Sequence, residues 1–224
     1  FGGKIKAFIS GGGPLDYNVG IFLNSLGLPT LQGYGLTEAS PVVSCNSIDK
    51  IKIETVGKIF KDVEVKIAKD GEILVKGENV MLGYWNNKNE TEKILRDNWL
   101  YTGDIGEIDK EGYLKITDRK KDIIVNAGGD NIAPSKIENL LANYPEIIQS
   151  YIYGDKKNYL VALIVVGKEL EDRKNKIRFI IDKVNNDLSI IEKIKKFIII
   201  DDPFTIENEM LTPTMKIRRH QVKK

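Results

Sequence analysis

Several short stretches of this chain hold residue types that suit chemistry at a nucleotide. Gly11-Gly12-Gly13 follows a strand-like run. A backbone without side chains can approach a flat or anionic ligand there, although a tight turn would use the same residues. Tyr34 stands between Gly33 and Gly35. Its ring, on a flexible loop, can stack on a base; a buried core tyrosine is the competing reading. Thr37-Glu38 adds a hydroxyl and a carboxylate, hard oxygen ligands suited to Mg²⁺ beside a triphosphate, or equally a helix cap with an acidic first turn. Asp104 follows the turn glycine Gly103. It can accept two hydrogen bonds from a ribose diol, or simply serve the turn. Arg119 can bridge to that diol or to a phosphate. Lys216 ends the run Leu211-Thr212-Pro213-Thr214-Met215-Lys216 and is either a placed cation or one more solvated lysine. The chain has no G-x-x-x-x-G-K-[ST] phosphate loop.

The elements that must position these residues fall into three kinds. Ile5–Ser10 reads as a short buried strand running into the glycines. An amphipathic helix follows, with Val19, Phe22, Leu23 and Leu26 on one face and Gly27 at its end. Leu28–Leu31 reads as a second strand delivering Gln32–Glu38 as a loop, which is α/β grammar with ligands expected at strand carboxyl ends. From about Val56 the pattern alternates. Val63, Val65 and Ile67 lead through Asp70-Gly71 to Ile73 and Val75, one hairpin. Glu107–Ile116, turning through Asp109–Gly112, is another, and a short helix near Lys88–Leu95 lies between them. Beyond the charged run Asp118-Arg119-Lys120-Lys121-Asp122, Ile123–Val125 is a strand, Pro134 opens a helix, Gln149–Tyr153 and Leu160–Val166 are strands, Asp172–Leu188 is a long amphipathic helix, Lys196–Ile200 is a strand and Met210–Arg219 is a loop.

The expected fold is therefore an α/β remnant (1–50), a β-barrel-like subdomain (51–117), a hinge (118–122) and a small, mobile α+β C-terminal domain (123–224). Glycine and polar residues between Tyr101 and Pro134 suit a boundary whose backbone angles must change.

Composition limits the alternatives. The 224 residues are 42% hydrophobic and 29% charged, enough for a sizeable core. A net charge of +2 gives no reason to invoke nucleic acid. The single cysteine, Cys45, excludes an internal disulfide and reads as a packed thiol. The single histidine, His220, excludes a cluster of histidine metal ligands. No apolar run approaches the roughly 18 residues of a membrane span. A cytoplasmic location is expected, with peripheral membrane contact left open. The chain opens at Phe1, without an initiator methionine and directly ahead of strand-like sequence, so a piece of a longer protein is expected.

FISGGGPL, LQGYGLTEASP, YTGDIGEIDKEGYLKITDRKKDIIVNAGGDNIAP and LTPTMK, in this order and spacing, resemble the AMP-forming acyl-CoA synthetases of the adenylate-forming superfamily. The resemblance spans nearly the whole chain. Tyr159–Val165 and the LTPTMKIRR ending are most similar to the long-chain fatty acid–CoA ligases.

The resemblance implies an adenylate-forming architecture with ATP, Mg²⁺ and coenzyme A as ligands. It implies adenine contacts at Gly12 and Gly13, base stacking at Tyr34 with close approach at Gly33 and Gly35, a phosphate contact at Thr37 and Mg²⁺ ligation by Glu38. It further implies ribose binding by Asp104, a ribose or phosphate contact by Arg119, a hinge at Lys121, a pantetheine passage along Gly128 and Gly129, and a bridge from Lys216 between the carboxylate and the α-phosphate. The implied activity converts a fatty acid to acyl-AMP and then to acyl-CoA. The phosphate loop and most of the acid pocket would lie upstream of Phe1, so the piece alone is expected to be inactive. The alternatives are a ligase that loads a carrier protein and a non-catalytic nucleotide- or CoA-binding module.

Overall fold

The computed structural model describes residues 2–167, 169–213 and 215–223. Chain contacts divide it into two compact units, Phe1–Lys120 and Lys121–Lys224.

The first unit opens with β1 (Phe8–Ser10), α1 (Tyr17–Ser25) and β2 (Thr30–Gly35). β1 and β2 are parallel, with Ser10 opposite Gln32. β3 (Val42–Cys45) and β4 (Lys58–Ile59) add antiparallel strands, giving a sheet in the order β1-β2-β3-β4. β5 (Val63–Ile67) and β6 (Glu72–Gly77) form the hairpin that alternation and Asp70-Gly71 predict, with Val65 opposite Val75. α2 (Lys88–Ile94), β7 (Leu95–Arg96), β8 (Trp99–Ile108) and β9 (Leu114–Arg119) complete a second sheet. Its order is β5-β6-β8-β7, with β9 also paired to β8. Ile73, Val75, Leu100 and Leu114 are fully buried with Ala39 and Val43, so one core joins the two sheets.

Three expectations for the first fifty residues need correction. β1 is shorter than Ile5–Ser10 and is not buried: it is the sheet's edge, and Ile9 is 75% exposed. The apolar face of α1 is real in the sequence, but Val19, Phe22 and Leu26 remain exposed, Phe22 by 60%; Gly20 is the helix's one buried residue. The second strand runs through Gly35, so Gln32, Gly33, Tyr34 and Gly35 belong to β2 and not to a loop. Its partner β3 supplies the ladder that holds these glycines extended, which no local propensity announces.

The second unit begins with a ribbon of β10 (Ile124–Val125) and β11 (Asn131–Ile132). α3 (Pro134–Ala142) follows, with proline in its first turn, then β12 (Ile147–Tyr153), β13 (Leu160–Val166), α4 (Arg173–Asn186) and β14 (Ile194–Ile200). β12 and β13 are antiparallel, β13 and β14 parallel, and α4 makes the crossover between the latter pair. Ile177, Ile180, Ile181 and Val184 of α4 recur at helical spacing and are buried with Ile137 and Leu141 of α3 and Ile164 of β13. The tail is more ordered than the loop expected at Met210–Arg219. Leu211 bridges Ile217, and Arg219 already belongs to a last helical turn, α5 (Arg219–Val222). Thr214 of that tail motif lies outside the described residues. Among the described residues no helix is long and apolar enough to cross a membrane.

Candidate functional site

The first unit brings together residues far apart in sequence. Tyr34 Oη donates to Asp104 Oδ2 at 2.6 Å, and Arg119 Nε lies 3.2 Å from Asp104 Oδ1. Asp104 sits on β8 directly opposite Arg119 on β9, and is only 5% exposed. Its backbone amide donates to Thr102 Oγ1, whose hydroxyl donates to the Ile73 carbonyl on β6. Strand register, not local sequence, fixes this carboxylate. Burial first, then the charge of Asp104 and the hydrogen bond to it, pushes the Tyr34 hydroxyl well above the usual phenol range, so Tyr34 stays a donor. Each carboxylate oxygen has a second lone pair, so Asp104 can still accept from a diol. Arg119 is half exposed, so solvent screens its pull on Asp104.

The glycine loop lies beside this strand. A side chain on Gly11 would come 3.7 Å from the Gly33 carbonyl. Gly12 has φ +81° with open space around it, and Gly13 is exposed. Gln32, which carries no role in the sequence reading, is the clasp. Its Oε1 accepts from Leu15 N at 3.1 Å and its Nε2 donates to Ile53 O at 2.6 Å. The two glycines flanking Tyr34 differ: a side chain on Gly33 would make ordinary contacts, whereas one on Gly35 would sit 1.7 Å from the Pro41 carbonyl. Gly35 is therefore required by the close approach of β2 and β3.

β2 exits into a 3₁₀ turn, Thr37–Ala39. Thr37 is exposed, and Glu38 Oε1 accepts from Tyr84 Oη at 2.6 Å. That hydrogen bond, with partial burial and the Glu38 charge, pushes the Tyr84 hydroxyl up to about 12. Thr37 and Glu38 offer only oxygen donors. A single carboxylate and a hydroxyl fit Mg²⁺, which takes few protein ligands and completes its shell from phosphate and water. Among the described residues no group of three or more His, Cys, Asp or Glu could hold a metal on its own.

The charged run divides at the unit boundary. Lys120 Nζ lies 2.7 Å from Asp70 Oδ2 and 2.8 Å from buried Glu72 Oε2, and Lys120 N donates to Gly103 O at 2.8 Å. Glu72 Oε1 in turn accepts from Gly103 N. Lys120 is thus fastened to the first unit, while Lys121, exposed, is the first residue of the second.

In the second unit Gly128 and Gly129 form the β10–β11 turn. Gly129 has φ +87°, and the Asn126 side chain closes the turn, its Nδ2 donating to Asp130 Oδ2 and its Oδ1 accepting from Asp130 N. Lys216 is exposed on the Leu211–Ile217 turn, where its N donates to Thr212 Oγ1 and its carbonyl accepts from Thr212 N. Arg219, three residues on, bonds Glu138 of α3, lies 3.9 Å from Asp122 and stacks on Tyr151. His220 is exposed in α5. Cys45 packs in β3, where burial pushes its thiol up, away from the reactive thiolate. Gln32, Glu72, Tyr84, Glu138 and Arg219 were missed by sequence reasoning; their partners are distant in sequence and no periodicity marks them.

Two family comparisons cover this architecture. Residues 1–85 match the family described as AMP-binding enzyme, and residues 121–224 match the AMP-binding enzyme C-terminal domain. The long-chain-fatty-acid–CoA ligase FadD15 of Mycobacterium bovis is 39% identical, over 99% of this chain and 40% of its own length. A 2-succinylbenzoate–CoA ligase of Listeria monocytogenes is 35% identical, over 86% of this chain and 43% of its own length. Among solved structures, o-succinylbenzoate CoA synthetase (MenE) from Bacillus subtilis, in complex with its acyl-adenylate intermediate, superposes with a TM-score of 0.85 at 29% identity over 98% of this chain and 46% of that one. The same enzyme with ATP and magnesium ion gives 0.79. The chain thus spans about two fifths of the length of these curated relatives. With both parts of the family matched and its fold reproduced, the chain belongs to the AMP-binding, adenylate-forming enzymes.

Proposed function

We propose that this chain supplies the nucleotide side, the hinge and the C-terminal unit of an ATP-dependent acyl-CoA ligase whose substrate is a long-chain fatty acid. The observation that carries the reading is the Tyr34–Asp104–Arg119 constellation: a buried carboxylate, with a phenol and a guanidinium on its two oxygens, beside a glycine loop. That arrangement suits a nucleoside. The 39% identity to FadD15 supports a fatty acid, while the succinylbenzoate ligases among the relatives supply the competing acid class.

In this reading Gly12 and Gly13 meet adenine, Tyr34 stacks on it, and Asp104 with Arg119 receives the ribose diol. The hydroxyl-to-carboxylate bond locks the Tyr34 ring, so less ordering is needed when the base arrives. Thr37 contacts phosphate and Glu38 holds Mg²⁺, which supplies charge neutralisation on the phosphate oxygens when bound. A carboxylate oxygen of the acid attacks the α-phosphorus, the bond to the β-phosphate oxygen breaks and pyrophosphate leaves. Lys216 stabilises the negative charge gathered between the two anions. Its loss is expected to slow adenylation by on the order of 10²–10³. The CoA thiol then loses its proton to solvent, its sulfur attacks the acyl carbon along the Gly128-Gly129 passage, the bond to the AMP phosphate breaks and AMP leaves.

The test uses the full-length protein and ATP–pyrophosphate exchange with acids of graded chain length, followed by thioester formation with CoA. Exchange strongest with long-chain acids, and acyl-CoA as product, is expected. Exchange with no carboxylic acid would overturn the reading; exchange with succinylbenzoate but not fatty acids would replace the substrate. Asp104→Asn should raise the ATP requirement about tenfold or more, because hydrogen bonds to a charged group are worth roughly 1.5–3 kcal/mol.

A further inference from the structure

The metal reading rests on Glu38, yet the turn that carries Glu38 cannot fix it. Thr37–Ala39 is a single 3₁₀ turn of three residues, followed by Ser40 at φ +44°. Such a turn has poor hydrogen-bond geometry of its own, and a glutamate has several torsions to order. The restraint comes from elsewhere. The segment from the last residue of β6, Gly77, to Tyr84 wraps the turn from outside. Asn79 Nδ2 donates to Ala39 O at 3.0 Å, Met81 N donates to Glu38 O at 2.9 Å and Tyr84 Oη donates to Glu38 Oε1 at 2.6 Å. Tyr84 is itself anchored, its N donating to Thr91 Oγ1 of α2 at 2.9 Å while that hydroxyl donates to Asn87 O. Asn79 Oδ1 is buried and has no hydrogen-bond partner among the described residues, and a side chain on Gly77 would come 2.6 Å from it. Asn79, Met81 and Tyr84 thus hold the Glu38 turn at three points, two on its backbone and one on the carboxylate itself.

We propose that Tyr84 is a positioning residue for Glu38: it takes Oε1, fixes the carboxylate plane and leaves Oε2 as the ligand oxygen for the divalent cation that accompanies the nucleotide. Asn79 and the Met81 amide fix the backbone beneath it. The inference rests on the metal role proposed for Glu38. Partners that orient a metal-ligating group commonly change metal affinity by ten- to a hundredfold when removed. Tyr84 has no assigned contact with phosphate or acid, so its loss acts on the metal requirement and spares the acid.

The experiment titrates Mn²⁺, a paramagnetic stand-in for Mg²⁺, into full-length protein saturated with a non-hydrolysable ATP analogue, and reads free Mn²⁺ by electron paramagnetic resonance. Tyr84→Phe is expected to weaken Mn²⁺ binding about tenfold. It should leave the thermal midpoint and the KM for the acid unchanged while raising the Mg²⁺ concentration that half-saturates pyrophosphate exchange. Glu38→Gln should weaken Mn²⁺ binding further. Mn²⁺ affinity within twofold of the parent in Tyr84→Phe, with Glu38→Gln impaired, would overturn the positioning role and leave the function standing. Unchanged Mn²⁺ affinity in Glu38→Gln would sink the metal assignment itself. Should Tyr84→Phe fail to fold, Asn79→Ala takes its place: a loss of threefold or more is expected, and no loss overturns the proposal.

Discussion

At the scale of single residues, the site shows how one atom's surroundings decide its use. Asp104 is buried because its two oxygens are already served by Tyr34 and Arg119; unpaired, such a charge would be costly inside the first unit. Gly35 is a glycine for a different reason than flexibility. Its backbone is extended, but the Pro41 carbonyl fills the place a side chain would need. Gly35→Ala is therefore expected to push β2 from β3 and destabilise the first unit by about 1–3 kcal/mol, as overpacking typically does. Urea denaturation followed by the fluorescence of Trp85 and Trp99, both in that unit, measures it. Unchanged stability would mean that the strands separate without cost. Tyr34, next to it in the chain, should lose its register with Asp104 in the same variant, so nucleotide affinity falls along with stability.

At the scale of elements, the β8–β9 hairpin is the site's main support, because it carries Asp104 and Arg119 as one cross-strand pair. Its turn is held by Asp109, whose Oδ1 accepts from the amides of Glu111 and Tyr113 at 2.9 Å and whose Oδ2 bonds Lys52. The Lys52 hydrogen bond first, then the Tyr113 amide, lowers the Asp109 carboxyl from 3.8 to about 2. A carboxyl depressed by folding stabilises above its unfolded pKa and loses that contribution as pH falls through the folded value. Part of the first unit's stability should therefore fade between pH 3.8 and about 2, and Asp109→Asn should flatten that part of the profile. An unchanged profile in the variant would remove Asp109 as the cause. In the second unit α5 plays the comparable part. Arg219 is nearly buried and joins α5 to Glu138 of α3 and to Asp122. Arg219→Ala leaves Glu138 without that partner and should cost about 3 kcal/mol. Hydrogen exchange of α3 and β12 amides reads this unit apart from the first. Protection unchanged from the parent would show the clamp to be dispensable.

At the scale of the molecule, the division between Lys120 and Lys121 matters most. Lys120 is held by Asp70, Glu72 and Gly103, which fastens it to the first unit and leaves Lys121 as the residue at which the proposed hinge is tested. A proline at position 121 would fix φ near −65° and hold one arrangement of the units. In the full-length protein Lys121→Pro is expected to depress one half-reaction far more than the other, with pyrophosphate exchange reporting the first and preformed acyl-AMP with CoA the second. Equal loss of both would count against a hinge at Lys121. Under the proposed function the Lys216 charge acts on the first transition state, so Lys216→Ala is expected to spare the second half-reaction.

The sequence by itself determined the elements and the family. Alternation marked the β5–β6 and β8–β9 hairpins, helical spacing marked the buried face of α4, and four motifs in order marked an adenylate-forming enzyme. Those signals are legible because backbone pairing and the choice of buried face repeat every two or every 3.6 residues. Only the tertiary structure decided the partnerships. Tyr34 meets Asp104 across 70 positions, and Tyr84 meets Glu38 across 46. Lys120 and Lys121 part company although they are chemically identical neighbours. Tyr34 lies in a strand because β3 pairs with it, and α1 keeps an apolar face that nothing among the described residues covers. Each of these depends on which strand lies beside which and in what register. A single chosen contact between distant residues has no period, so it leaves no pattern along the chain to read.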